Sequence, residues 1–127
     1  MIRTLLCAVA AAVCLSGCGT AARFAAIPPE LDRAKVPHFS MDITAQRFEF
    51  RPDVIHVKAG SLVTLRIYAV DATHGFALDE FGIDELLEEG QVKVVEFYIP
   101  LPGAYEFRCS HLCGLGHFGM SGRILAE

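Results

Sequence analysis

The chain has 127 residues, of which 53% are hydrophobic and 20% charged, and its formal net charge at pH 7 is −4. This length is enough for one domain with a hydrophobic core of its own. Acidic residues outnumber lysine and arginine by 15 to 11, and this balance excludes nucleic acid as the expected partner.

The first 17 residues have the features of a secretory signal. Met1-Ile2-Arg3 is a short basic start, and residues 4–15 form an apolar run of twelve residues. This run is too short to span a bilayer core of roughly 30 Å but has the length of a signal-peptide core.

The apolar run ends in Leu15-Ser16-Gly17-Cys18, which resembles a bacterial lipobox. In a lipobox the chain is cut before the cysteine, whose sulfur takes the diacylglyceryl group. We therefore expect residues 1–17 to be removed and Cys18 to be lipidated. The mature protein would be extracytoplasmic and anchored to a bacterial membrane by lipid, on the periplasmic side if the source is Gram-negative. An ordinary signal peptide cut nearby is the alternative.

Residues 18–38 are predicted to form a linker between the anchor and the domain. They are rich in alanine and proline and carry charges of both signs, and Pro28-Pro29 and Pro37 favour extended backbone. A short amphipathic turn around residues 30–35 is compatible with this composition.

Residues 39–127 have the pattern of an all-β sandwich, with β-prone runs bounded by glycine, proline and aspartate. The predicted strands are 39–46, 48–50, 54–57, 61–70, 92–99, 104–109 and 121–126. In the longest of them Arg66 and Tyr68 point to one face while Leu65 and Ile67 point to the other. Little room is left for helix, apart from a helical turn at 83–89.

The cysteines divide into two groups. Cys7 and Cys14 leave with the signal and Cys18 is acylated, so Cys109 and Cys113 remain as thiols. Two cysteines in an oxidising compartment form a disulfide by default, but these two lie four residues apart among histidines. A disulfide alone and a zinc site stay open as alternatives.

The segment from Cys109 to Met120 also contains His111, Cys113 and His117. Thiolate, imidazole and thioether ligands together select copper over hard, oxygen-seeking metals, and the thioether argues against zinc. This segment could therefore supply most of a copper site.

His74 follows the long strand and is predicted to lie in a loop, 35 residues before Cys109. That separation suits two adjacent loops at one end of a Greek-key sandwich. We interpret His38 and His56 as ordinary histidines without a ligand role.

Two motifs carry a family resemblance. Asp71-Ala72-Thr73-His74-Gly75-Phe76 and the stretch 102–120, with two cysteines four apart, resemble the CuA domain of cytochrome c oxidase subunit II, particularly that of B-type oxidases. The resemblance covers about residues 39–127 and implies a cupredoxin fold. It implies two copper ions bridged by the two cysteine thiolates, with weak contributions from a thioether and a backbone carbonyl. The implied metal residues are His74, Cys109, His111 through its carbonyl, Cys113, His117 and Met120.

Three departures from the family pattern affect what carries over. His111 stands where many members have glutamate, which puts in doubt the magnesium site of some oxidases but not the copper site. The chain contains no tryptophan, so Phe48, Phe50 or Phe118 would have to serve as the aromatic residue near the electron-entry surface. A lipobox replaces the transmembrane segment of most relatives, which leaves open whether the chain is built into an oxidase.

The implied ligand shell has no vacant position, which favours electron transfer over catalysis by this chain alone. The segment 79–89 has six acids and no base, and the chain after residue 17 has 15 acids against 10 bases. The segment is either a solvated loop or a patch that steers a basic c-type cytochrome.

Two functions are expected. The first is the electron-entry subunit of a haem-copper oxidase, which passes electrons from a c-type cytochrome to the catalytic subunit. The second is a free-standing, lipid-anchored copper shuttle or copper carrier that serves another reductase. Gly19 lacks the aspartate that commonly retains lipoproteins in the inner membrane of Gram-negative bacteria, and this favours a shuttle if the source is Gram-negative.

Overall fold

The computed structural model describes residues 22–127, so the predicted signal peptide and Cys18 lie outside the described residues. The described residues form nine strands and three 3₁₀ turns, at Arg33–Lys35, Asp79–Phe81 and His117–Gly119. The strands are β1 His38–Gln46, β2 Glu49–Arg51, β3 Val54–Val57, β4 Leu62–Ala69, β5 His74–Leu78, β6 Ile83–Leu87, β7 Val92–Tyr98, β8 Gly103–Arg108 and β9 Ser121–Ala126.

Two sheets make up the sandwich, one in the order β2-β1-β4-β7 and the other in the order β3-β9-β8-β5-β6. Strand β1 pairs in parallel with β4, and β3 pairs in parallel with β9. The remaining pairs are antiparallel. The predicted all-β sandwich is therefore confirmed.

The core lies between the sheets because alternate residues of each strand point inward. In β4, Leu65 and Ile67 are buried while Arg66 and Tyr68 are exposed, as the alternation predicts. The rings of Phe50, Phe76 and Phe107 meet at the centre, with centroids 5.2–6.1 Å apart.

Two sequence predictions are wrong in the region between the motifs. His74 begins strand β5 rather than lying in a loop, and residues 83–87 form strand β6 rather than a helical turn. The two strands pair antiparallel, with Leu78 opposite Ile83 and His74 opposite Leu87. Strand pairing prevails because β5 is buried along its whole length, so its backbone groups need partners that a helical turn could not provide.

Of the predicted linker 18–38, residues 22–37 pack on the sandwich, and we call them the N-terminal strap, while His38 already begins β1. The backbone N–H of Phe24 donates to the carbonyl of Glu80, and that of Tyr98 donates to the carbonyl of Ala26, both at 2.8 Å. The Phe24 ring lies 5.4 Å from that of Phe81 and 6.4 Å from that of Tyr105. The strap is therefore attached along its length and does not behave as a free tether.

Candidate metal centre

Strand order brings the two ligand-bearing segments to one end of the sandwich. Strand β4 ends just before the loop that leads to His74, and β8 ends at the residue before Cys109. Residues 109–120, which we call the ligand loop, return to β9 where Arg108 pairs with Ser121. The loop is closed at its base because the N–H of Cys109 donates to the carbonyl of Met120 at 2.9 Å.

The two thiols lie next to each other in a buried position. The Sγ atoms of Cys109 and Cys113 are 3.8 Å apart, and the residues are only 3% and 7% exposed. A disulfide requires a separation of about 2.05 Å, and both cysteines are free. A ring nitrogen of the fully buried His74 lies within 4.8 Å of both sulfurs, so these three residues could hold a metal ion.

The remaining predicted ligands surround this trio. His117 Nδ1 and Met120 Sδ each lie 3.9 Å from Cys113 Sγ. The Cys109 thiol donates to the carbonyl of His111 at 3.1 Å, whereas the side chain of His111 is exposed. The structure therefore brings His111 to the site by its backbone oxygen.

The orientation of His74 is set by Asp71, a residue for which no role was predicted. His74 Nε2 lies 2.9 Å from Asp71 Oδ1, while the buried Nδ1 has no hydrogen-bond partner within residues 22–127. Metal-bound histidines usually donate their second ring N–H to such a carboxylate. This arrangement assigns the proton to Nε2 and leaves the Nδ1 lone pair for a metal. An acid three residues before a candidate ligand was the signal in the sequence.

Asp71 is itself held in its ionised form. Partial burial opposes ionisation, but the backbone N–H of Arg47 and the His74 ring both donate to the carboxylate and lower its pKa below the usual value. The Arg47 bond reaches Oδ2 at 2.9 Å, so each carboxylate oxygen has one donor.

The Cys113 thiol is protonated at neutral pH without a metal. Burial, together with the hydrogen bond to Cys109 and the charge of that neighbour, raises the pKa of Cys113 to about 11. A metal that binds here must displace a proton, so its affinity rises with pH. The two cysteine sulfurs, the Met120 thioether and the His74 Nδ1, which has no partner among residues 22–127, fit a soft metal such as copper.

A profile of the cupredoxin-like domain matches residues 6–126. The chain belongs to the cupredoxin-like domain family. Two sequences of cytochrome c oxidase subunit 2 from Thermus thermophilus are 30% identical to it over 89 residues, which is 70% of this chain. The chain covers 66% of one of these relatives and 53% of the other, less than two thirds of either. A nitrous-oxide reductase from Cupriavidus necator is 28% identical over 92 residues, which is 69% of this chain and 14% of that enzyme.

Solved structures with the same fold include two from oxidases. A subunit of a heme-copper terminal oxidase dimer has a TM-score of 0.68 at 25% identity, over 76% of this chain and 69% of that one. The periplasmic domain of subunit II of cytochrome oxidase from Bradyrhizobium japonicum has a TM-score of 0.66 at 18% identity, over 76% of this chain and 88% of that one. The cupredoxin-like fold and the resemblance to oxidase subunit II are thereby confirmed.

An apolar surface covers the ligand loop of this cupredoxin-like domain. Leu112, Leu115 and Phe118 are 69%, 102% and 90% exposed, and Phe48 is 40% exposed beside them. We call these four residues the apolar rim. Phe50 is only 1% exposed, so of the three candidate aromatic residues Phe48 and Phe118 can contact a partner. The Phe118 ring lies 5.1 Å from that of His117.

The Phe48 ring also packs against the backbone of the ligand loop. A Cβ atom on Gly116 would lie 2.4 Å from this ring, and one on Gly114 would lie 2.9 Å from it. The ring therefore packs directly on loop backbone, and a side chain at either glycine would force the ring or the loop to shift.

The acidic segment 79–89 does not present a surface of one sign. Three of its carboxylates pair with cations, and a fourth accepts a hydrogen bond from Ser110 at 2.6 Å. Glu88 and Glu89 are left without such a partner among residues 22–127. No helix within the described residues is long and apolar enough to cross a membrane.

Proposed function

We propose that this cupredoxin-like domain carries a binuclear copper centre of the CuA kind and transfers electrons. The observation that carries the proposal is the buried thiol pair with the ring of His74 beside it, whose Nδ1 has no hydrogen-bond partner among residues 22–127. Cys109 and Cys113 would bridge two copper ions, and His74 and His117 would each bind one. The Met120 thioether and the His111 carbonyl would contribute weakly. Copper bound here supplies one-electron redox chemistry.

The scaffold suits electron transfer because the donor atoms are held in place. His74 lies in a paired strand and is fixed by Asp71, and the ligand loop is closed at its base. A site whose ligands do not move when an electron arrives has a low barrier to transfer. The implied ligand shell also has no vacant position, which favours a redox carrier over a catalyst.

We assign the apolar rim as the docking surface for a c-type cytochrome. The exposed Leu115 and Phe118 lie beside His117, which gives a short route from the surface to a ligand. The net charge of −4 favours a basic cytochrome, and Glu88 and Glu89, which have no ion-pair partner in the described part of the chain, supply negative charge. The acceptor in this proposal is the catalytic subunit of a haem-copper oxidase, in keeping with the similarity to oxidase subunit 2.

The second candidate function is a carrier of electrons or copper to another reductase. The similarity to nitrous-oxide reductase favours it, because a segment similar to this chain, 14% of that enzyme, occurs in a reductase other than an oxidase. Purification of the protein from its native membrane separates the two functions. Co-purification with haem-copper oxidase subunits supports the first, and isolation without them supports the second.

The decisive experiment is to load the whole protein with copper, count the metal and record the EPR spectrum. We expect two copper ions per chain and a seven-line hyperfine pattern, because one unpaired electron shared by two equivalent copper nuclei gives that number of lines. A single copper with a four-line spectrum contradicts the proposal.

Substitution of each ligand gives a graded series. Loss of a bridging thiolate should collapse the centre, whereas Met120→Leu should keep both ions and shift the potential. His111→Ala should have the smallest effect, because alanine retains the backbone carbonyl. The expected order of damage is Cys109 and Cys113, then His74 and His117, then Met120, then His111. Loss of both metals in His111→Ala alone would show that its imidazole is a ligand.

We also propose that Cys18 is lipidated and anchors the domain on the extracytoplasmic side of a membrane. Its support is the Leu15-Ser16-Gly17-Cys18 motif. Cys18→Ser should release the protein from membranes or leave it unprocessed, without any change in the copper spectrum. Retention on membranes after signal cleavage would show that another feature holds the protein.

A further inference from the structure

The β1–β2 hairpin contacts both ligand-bearing segments through one residue at its tip. The backbone N–H of Arg47 donates to Asp71 Oδ2 at 2.9 Å, and its side-chain Nε donates to the carbonyl of Cys113, also at 2.9 Å. Asp71 in turn fixes His74. A single residue is therefore hydrogen-bonded to the segment that carries one histidine ligand and to the loop that carries the cysteines.

The Cys113 carbonyl lies where the ligand loop has few other attachments. The next residue, Gly114, has a φ of 142°, and the loop's following hydrogen bonds, His117 N to Gly114 O and Gly119 N to Gly116 O, are internal. Among the described residues, the Arg47 side chain makes the one hydrogen bond that joins the backbone of residues 113–116 to another part of the sandwich. The second contact from the hairpin is the packing of Phe48 on the two glycines.

We propose that Arg47 is a positioning residue that sets the relative placement of the Asp71–His74 segment and Cys113 in the copper centre. For its effect on bound copper, this inference rests on the proposed function. The main-chain bond to Asp71 is independent of the side chain, but the bond to Cys113 is not. The guanidinium also places a positive charge near the Cys113 thiolate, which favours the reduced state of a neighbouring redox centre.

Two substitutions separate geometry from charge. Arg47→Met removes the hydrogen bond to Cys113 and the positive charge, whereas Arg47→Lys keeps the charge but has no N–H at the Nε position. Arg51→Met is the matched control, because Arg51 lies on β2, is exposed and pairs with Glu49 within the same hairpin. The three variants and the wild type are compared as whole proteins. The measurements are the rate of copper release to a chelator, the reduction potential, and amide hydrogen exchange in the ligand loop of the metal-free protein.

We expect Arg47→Met to retain both copper ions but to release them about tenfold faster. Loss of a group that hydrogen-bonds to a metal ligand typically weakens metal binding by about 10- to 100-fold, and this value is at the lower end. The potential of Arg47→Met should fall, and amide exchange at residues 114–119 should rise. Arg47→Lys should release copper faster while its potential stays near the wild-type value. Arg51→Met should match the wild type in release rate and exchange.

Equal release and exchange in wild type, Arg47→Met and Arg51→Met would overturn the proposal. The proposal would also be overturned if Arg47→Lys released copper and exchanged its loop amides at the wild-type rates, since charge alone would then account for the effect. Because exchange is measured without metal, it tests the positioning role even if the wild type binds a single copper and the binuclear centre is wrong. Arg47 is exposed, and the lysine variant preserves a test if the methionine variant folds poorly.

Discussion

Gly116→Ala tests how tightly the Phe48 ring confines the ligand loop. Gly116 has φ −86° and ψ 3°, a conformation that alanine adopts without strain, so the new methyl group is the whole perturbation. Its Cβ would lie 2.4 Å from the ring, against 3.4–4 Å for ordinary contact. The ring or the loop must therefore shift by about 1 Å. Overpacking of this kind costs about 1–3 kcal/mol.

The shift falls next to His117, so the copper centre should change along with stability. We expect a lower free energy of unfolding in urea, faster copper release and an altered absorption spectrum. Gly119→Ala is the control, because a Cβ there meets no described atom within 4 Å. Phe48→Ala should relieve the clash, so the double variant should be more stable than the sum of the single changes predicts. Equal stability and spectra for Gly116→Ala and Gly119→Ala would refute the reasoning.

Three further outcomes are expected. Burial and then the charge of the Glu80 carboxylate raise the pKa of Tyr105 in the folded protein. The neutral hydroxyl therefore stabilises the fold fully below about pH 10, and this contribution is lost as the pH rises through the pKa that Tyr105 has in the folded state. Tyr105→Phe should lower the unfolding free energy at pH 7 by about 1 kcal/mol through loss of its 2.6 Å hydroxyl bond, and urea unfolding should show this deficit shrinking at alkaline pH. Phe24→Ala should cost about 2 kcal/mol and speed amide exchange at residue 98, and unchanged exchange would mean that the strap does not depend on this ring. Leu115→Ser should slow electron exchange with a c-type cytochrome in stopped-flow measurements at unchanged copper content, whereas Leu101→Ser, at a 47% exposed leucine outside the apolar rim, should not.

The strands with clear period-two patterns were predictable from the sequence. The prediction for 121–126 coincides with β9, and that for 54–57 coincides with β3. The pairing of the two thiols was also expected, from the family resemblance that the motif carries. These features depend on neighbouring residues, which local sequence patterns describe well.

The missed features depend on contacts between distant residues. Strands β5 and β6 were hidden because His74-Gly75 suggests a loop and residues 83–89 are mostly acidic, yet each supplies the other's backbone partners. Arg47 bonds to residues 24 and 66 positions away, and nothing in its local sequence indicates either contact. The strap was predicted as a linker because its alanine and proline content does not indicate the backbone hydrogen bonds and the Phe24 ring contacts that attach it.

The docked strap changes how far the copper end could travel from a membrane. A free linker over residues 18–38 would extend up to about 70 Å, at roughly 3.6 Å per residue. Because the chain is hydrogen-bonded to the sandwich at Phe24, a lipid on Cys18 would leave only six peptide steps, or at most about 22 Å, between anchor and domain. Under the proposed acylation, the search for a redox partner becomes two-dimensional. Partners would then have to be embedded in the same membrane or diffuse to its surface, and a protein fixed in the opposite membrane would stay out of reach.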